Sequence, residues 1–505
     1  MASKLDLLRD RLAEVSDLGR ARALLDWDQR TQMPAAGAET RAEQAATLAR
    51  LRHERLVSDD LGSLLDAAAQ EVEGMPYESD EASLVRAARR EWDKARRVPA
   101  ELRAEITRSA SLAEFAWASF KERSDFAGFL PHLERNIDLR RRYAECFDGF
   151  PGFEHPYDPL LDDFEPGMTT AEVGVLFGEL RDAVRPLVAQ VAACDPVDDG
   201  CLYGEFPLSA QRAFASELVS DLPLDQDTWR LDPTVHPFAS AISPVDLRIT
   251  TRFDSHYIGT ALWSVIHEAG HALYENGIDR ALWRSPLCAP PSLGFHESQS
   301  RLWENWVARG RPYLERLLPR LRGSFREHFA KVEPEELYRA ANRIEPSLIR
   351  VEADQVTYNL HVVMRFELEV ELFEGRLEPA QLPEAWNARI DEYLGLGVPD
   401  DARGVLQDVH WAGAAFGYFP TYALGNLIAA QIWDSLAAAL GDLDQQIAAG
   451  ELTPLRDWLR ERLYRHGAKF MPKEMVERVV GGPIEVAPYA RQLRERAVEI
   501  YGIAG

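Results

Sequence analysis

Two histidines four residues apart, His267 and His271, flank a glutamate, Glu268, in the run HEAGH. On a helix, residues i and i+4 lie on one face, so both imidazoles can reach one ion while Glu268 stands beside it. The surrounding YIGTALWSVIHEAGHALYENG supports a helix: Leu262, Val265, Ile266, Ala269 and Leu273 recur at amphipathic spacing, and Asn276 with Gly277 reads as its stop. A hydrolytic zinc site takes three protein ligands and leaves a fourth position to water. Glu297 is the candidate third ligand, beyond the loop SPLCAPPSLG and near the start of the next helix, so a helix hairpin can bring it to the ion. Two neutral imidazoles and one carboxylate leave a net charge of about +1, enough to bring a coordinated water's pKa toward about 7. Glu304, on the same helix face as Glu297, is placed to hold one of the ligand histidines. The competing readings are surface histidines and an exposed glutamate favoured by the helix dipole.

The elements that must position these groups are mostly helices. Ala, Leu, Arg and Glu recur with helical periodicity from LDLLRDRLAEV to YARQLRERAVEIYG. One exception, VHPFASAISPVDLRITTRF, is rich in β-branched residues and reads as a hairpin or strand pair between about 235 and 253, just before the HEAGH helix. Length alone allows about three domains. No Gly/Ser tract or long charge run marks a linker, so residues 1–505 read as a single catalytic domain. With 57 basic against 82 acidic residues the net charge is −25, which disfavours nucleic acid and anionic lipid as partners. The four cysteines form no C-x-x-C pair, and MASKLDLLRDRLAEVSDLG lacks an apolar signal core, pointing to the cytoplasm. The most apolar stretch, Trp411 to Trp433, contains Pro420 and Asn426 and reads as buried helix rather than a membrane span.

Six stretches, HPF, DLRIT, HEAGH, SLGFHESQSRLWENWVARG, IRVEAD and GVLQDVHW, occur in the order found in the carboxypeptidase Taq family of metallocarboxypeptidases, which the chain resembles over nearly its whole length. The resemblance implies an almost wholly helical, two-lobed, neurolysin-like fold with a deep central groove and a small β element near the active site. It also implies a homodimer and one divalent ion per chain, zinc, with cobalt as the alternative. Carried over by position, the family's ligands fall on His267, His271 and Glu297 and its catalytic glutamate on Glu268. One departure stands out: the family's usual acid after EAD is Gln355 here.

Further candidates line the implied groove. PSLIRVEADQVTYNLHVVM reads as a long helix with Pro346 in its first turn and a polar stripe of Arg350, Asp354, Thr357 and His361. Arg350 either forms an i,i+4 pair with Asp354, worth about 0.2 to 0.5 kcal/mol, or makes a two-pronged bond with a substrate's terminal carboxylate, as the resemblance implies. Arg248 in DLRIT is the second candidate for that task, or else the partner of a nearby carboxylate. His410, Tyr422 and Tyr418 are candidate donors to an oxyanion, although a tyrosine on a packed helix is commonly core. Asp408 and Gln407 read as orienting neighbours, and His236 as part of the groove wall. The expected activity is hydrolysis of the last peptide bond of peptides with a free C-terminus, releasing single amino acids. An oligoendopeptidase or dipeptidyl carboxypeptidase would share the metal site, and a silent metal- or peptide-binding scaffold would have no need of Glu268.

Overall fold

The computed structural model describes residues 3–504. Helices run from Lys4–Thr31 to Ala487–Tyr501 and share one continuous apolar core, as the periodicity requires. Three of them build the site: Val265–Gly277, Leu293–Arg301 and Pro420–Leu440. The last is long and apolar enough to cross a membrane, but its side chains are mostly buried in protein. Its buried amides bond internally, Asn426 to Asn359 and Gln431 to the Pro483 carbonyl. Residues 411–419, which the sequence assigns to this helix, form turns instead, and Ala414 and Gly417 take positive φ. Pro420 then opens the helix, where its fixed φ suits the first turn and its missing N–H costs nothing.

The β element is larger than a strand pair. Strands β1 (Trp229–Pro233), β2 (Ala239–Ser243) and β3 (Asp246–Thr251) form one sheet in the order β1-β3-β2. The expected hairpin is β2 with β3, antiparallel, while β1 adds in parallel with Leu231 opposite Ile249. β1 tolerates Pro233 because it is an edge strand. Central β3 buries Leu247, Ile249, Thr250 and Thr251 and packs on the Val265–Gly277 helix.

The helix expected to start at Pro346 starts at Thr357 and runs Thr357–Phe373. Asp354 accepts from the backbone N–H groups of Val356 (2.8 Å) and Thr357 (3.1 Å) and from the Thr357 hydroxyl, and so satisfies the first-turn donors that a helix start leaves unpaired. Arg350 lies before that start, in a 3₁₀ turn, Arg350–Glu352. The Arg350–Asp354 pair, one of the two readings the sequence left open, does not form: the Asp354 carboxylate is occupied as a helix cap.

Candidate metal centre and active site

His267 and His271 project from one face of their helix, and Glu297 meets them from the adjoining Leu293–Arg301 helix; one ligand atom from each lies within 4.8 Å of the others. The Glu297 Oε2 is 3.5 Å from the Nε2 of both histidines. Each imidazole is held through its other nitrogen. Glu304 accepts from His267 Nδ1 at 2.9 Å, and the His296 carbonyl accepts from His271 Nδ1 at 3.1 Å. Both acceptors fix the tautomer, so both Nε2 lone pairs face Glu297, the donor set of a divalent-metal site.

Close helix approach brings these three side chains together, and two glycines permit it. A Cβ at Gly270, within HEAGH, would lie 2.7 Å from Ser300 Cα and 2.8 Å from the Gln299 carbonyl oxygen. A Cβ at Gly425 would lie 2.9 Å from Glu297 Cβ. The N-terminus of the Glu297 helix is pinned as well. Glu165, fully buried, accepts from Gly294 N at 2.5 Å, and burial pushes its carboxyl up to about 8 despite the bonds from Ser292 and Gly294.

The charges around these three side chains are arranged in series. Glu297 places its Oε1 2.7 Å from Arg301 Nε, which leaves Oε2 for the histidine side. Burial would raise the pKa of Glu297, but Arg301 and His267 hold it well below the usual carboxylate range. Glu304 behaves likewise: burial is outweighed by the bond to His267 and by Arg309 and Arg301, holding it at about 2. Glu268 is 6 % exposed, and its carboxylate makes no hydrogen bond among the described residues. Burial raises its pKa, with the two histidines opposing.

A second cluster adjoins the first. Arg350 is buried, its Nε and Nη2 bonded to Asp408 Oδ1 (3.1 and 2.8 Å) and its Nη1 to the Tyr358 hydroxyl (2.9 Å). Arg365, fully buried, bonds the other oxygen of Asp408 at 2.8 Å. Gln407 accepts from the Arg350 backbone N–H and from Arg365, so Asp408 and Gln407 orient neighbours as expected. Two guanidiniums on one carboxylate leave a net charge of +1. The Tyr358 ring links this cluster to Glu297, because Arg301, the partner of Glu297, stacks on it at 4.6 Å.

His410 Nε2 lies 3.1 Å from the Tyr422 hydroxyl, and the Arg350 guanidinium stacks on the Tyr422 ring at 4.9 Å. Burial, with the Arg350 charge, pushes the His410 imidazole down to about 3, so it is neutral in the physiological range. Tyr418 packs edge-on against Tyr422 and Phe164. Glu369 anchors the turns between His410 and Pro420 by accepting from Trp411 Nε1 (2.7 Å), Gly417 N (2.9 Å) and the Tyr157 hydroxyl (2.5 Å).

Arg248 stands apart from Arg350. It pairs with Asp246 (2.6 and 3.0 Å), stacks on Trp27 at 4.5 Å and lines a cavity with His271 and Glu275. Its guanidinium thus has the nearby carboxylate partner that the sequence offered as the alternative. His236 is exposed. Three contributors escape the motif reading: Arg301, which the i,i+4 spacing from Glu297 signals; Arg365, a cation inside an apolar helix; and Glu165, which carries no local signal.

A helical chain with HExxH on one helix and a glutamate set against it from the next has the donor set of a metallopeptidase. Residues 7–497 match the family model of the carboxypeptidase Taq (M32) metallopeptidases, and the chain belongs to that family. It is 43 % identical to thermostable carboxypeptidase 1 of Thermus thermophilus over 97 % of both chains, and 36 % identical to carboxypeptidase 1 of Bacillus subtilis over the same shares. The crystal structure of the M32 carboxypeptidase from Deinococcus radiodurans superposes with a TM-score of 0.95 at 40 % identity, covering 99 % of this chain and 100 % of that one. The chain is a metallocarboxypeptidase acting on peptides, and its family implies a divalent metal.

Proposed function

We propose that His267, His271 and Glu297 hold one zinc ion and that Glu268, His410, Tyr422 and Arg350 carry the hydrolysis of the last peptide bond. When bound, the ion supplies Lewis acidity that polarises the scissile carbonyl and acidifies water. Glu268, beside it and without a competing hydrogen bond, takes the water's proton and delivers it to the leaving amine. Such proton transfer typically contributes about 10²- to 10⁴-fold. A neutral His410 that carries its hydrogen on Nε2 donates to the Tyr422 oxygen, which leaves the Tyr422 O–H free to donate to the carbonyl oxygen as charge develops. Arg350 recognises the terminal carboxylate, and Asp408 with Tyr358 fixes the plane of its guanidinium.

The observation that carries this reading is the excess positive charge of the Arg350–Asp408–Arg365 cluster beside the three ligands. A buried cation pairs with a chain end and is left unpaired when the chain continues, a difference of several kcal/mol. The four thiols are unpaired, in keeping with the reducing cytoplasm. Assembly as a homodimer belongs to the same reading and is checked by sedimentation. The activity test is mass analysis of a blocked dipeptide and a longer peptide after incubation with the metal-loaded protein, with and without chelator. Successive single-residue losses from the free C-terminus, stopped by chelator and restored by zinc, are expected; internal cuts or dipeptide release would overturn the assignment of Arg350.

A further inference from the structure

Tyr358 touches both halves of the site. It stands in the first turn of the Thr357–Phe373 helix and is 5 % exposed. Its hydroxyl oxygen accepts from Arg350 Nη1 at 2.9 Å, and the Arg301 guanidinium lies 4.6 Å from the centre of its ring. Arg301 in turn bonds Glu297 Oε1 at 2.7 Å, the oxygen on the side away from the histidines. The Tyr422 ring meets it edge-on at 6.0 Å. One side chain therefore reaches the arginine of the clamp, the partner of the proposed third ligand and the ring of the proposed oxyanion donor.

A phenol suits this place for a physical reason. A carboxylate between the two guanidiniums would cancel the positive charge that the clamp needs. A phenol stays neutral while it offers its electron-rich face to one cation and an oxygen lone pair to the other. It is also stiff, with two rotatable side-chain bonds. Its backbone is held: the Tyr358 N–H donates to the Asp354 carbonyl at 3.0 Å. The next residue, Asn359, is fully buried; it donates to the Gln355 carbonyl and accepts from the Asn426 amide, both at 2.9 Å. Asn426 lies one turn after Tyr422 and next to Gly425, against which Glu297 packs. The other side-chain partner of Arg350, Asp408, sits in the turn-rich segment 401–419. Of the two, Tyr358 is the one carried by a helix tied to the metal side.

We propose that Tyr358 is a positioning residue, a rigid spacer that holds Arg350 and Glu297 at one fixed separation. The peptide bond one residue in from a carboxylate on Arg350 then meets the ion, and the next bond does not. This rests on the proposed clamp at Arg350 and the proposed ligand Glu297. Without the hydroxyl, Arg350 keeps its charge and its Asp408 bonds but loses the partner that fixes its distance from Glu297. Without the ring, Arg301 loses its support and Glu297 the fixed partner of its Oε1.

The test compares Tyr358→Phe, Tyr358→Leu and Arg350→Ala with wild type as full-length, zinc-loaded proteins of matched circular dichroism, on a tetrapeptide free acid and its amide. Products are identified by mass, and zinc affinity is read by competition with a chromogenic chelator. Tyr358→Phe should raise KM for the free acid about tenfold, release dipeptides beside single residues, and bind zinc as wild type does. Tyr358→Leu should add a roughly tenfold loss of zinc affinity. A packing role alone would lower zinc affinity in both variants in step with Tm, and that result overturns the proposal. So does a Tyr358→Phe enzyme that releases single residues only, at the wild-type KM. Arg350→Ala separates this proposal from the reading beneath it. If that variant keeps the wild-type preference for acid over amide, the clamp fails and the spacer with it; if it loses the preference while Tyr358→Phe behaves as wild type, the spacer alone fails.

Discussion

Glu304 holds His267 from behind: its Oε2 accepts from the imidazole Nδ1 at 2.9 Å while Arg309 grips its Oε1 at 3.0 Å. This fixes the tautomer and ring plane of the proposed ligand and raises its basicity. Removing such a support typically costs about 10- to 100-fold in metal affinity. Glu304→Ala should show that loss in competition with a chromogenic chelator while keeping the wild-type helical circular dichroism. Unchanged affinity would reduce Glu304 to a structural ion pair.

The glycine within HEAGH gives a packing prediction. The Gly270 Cα faces the backbone of Ser300 and Gln299, which cannot rotate away from an added methyl. Gly270→Ala should push the His267 and Glu297 helices apart, costing about 1 to 3 kcal/mol of stability and lowering zinc affinity with it. Calorimetry together with metal titration checks both; a stable variant with full zinc affinity would show that the close approach is dispensable.

How much of this was readable in the sequence depended on how local the signal was. The i,i+4 histidines and the helix around them follow from spacing, Glu297 is a candidate by spacing that the family resemblance favours, and a mostly helical fold follows from periodicity. The polar stripe singles out Arg350 but says nothing of its surroundings. Apolar periodicity carried the helix back to Pro346, although Asp354 three residues before Thr357 is a capping signal that places the start later. Its true partner, Asp408, lies 58 positions away, and no spacing rule connects them. β1 was missed because WRLDP is short and ends in proline, and a parallel edge strand has no hairpin turn to announce it. Glu165 and Glu369 are single acids among apolar residues, whose partners only the tertiary structure supplies.

The Arg350 clamp predicts non-additive losses. Amidating the substrate's C-terminus and changing Arg350→Ala remove the same charge pair, so each should lower kcat/KM by about 10²-fold or more, and the combination by little beyond either alone. If the Arg350→Ala enzyme discriminates acid from amide as wild type does, the clamp lies elsewhere, and Arg248 is the next position to change.

Glu369 makes stability pH-dependent. Burial pushes its carboxyl up to about 7, against the bonds from Tyr157, Gly417 and Trp411 and the Arg140 charge. A carboxyl with a raised folded pKa stabilises fully below its unfolded value, about 4.5, and loses that contribution as pH rises through the folded value. Glu369→Gln is uncharged at every pH. Its stability relative to wild type should therefore improve by roughly 3 kcal/mol between pH 4.5 and 8, read as a difference in denaturant midpoints. A pH-independent difference would mean that Glu369 titrates normally.

The central claim is that the ion held by His267, His271 and Glu297 works with Glu268 as the proton carrier, and the Glu268→Gln variant tests it most directly. The amide keeps the size of the side chain and touches none of the three ligands, but cannot accept water's proton. Zinc content and single-turnover cleavage of a free-acid peptide are measured on the same preparation. The account expects about one zinc per chain and a rate reduced about 10²- to 10⁴-fold. Wild-type cleavage with zinc bound would contradict it, because another group would then be moving the proton.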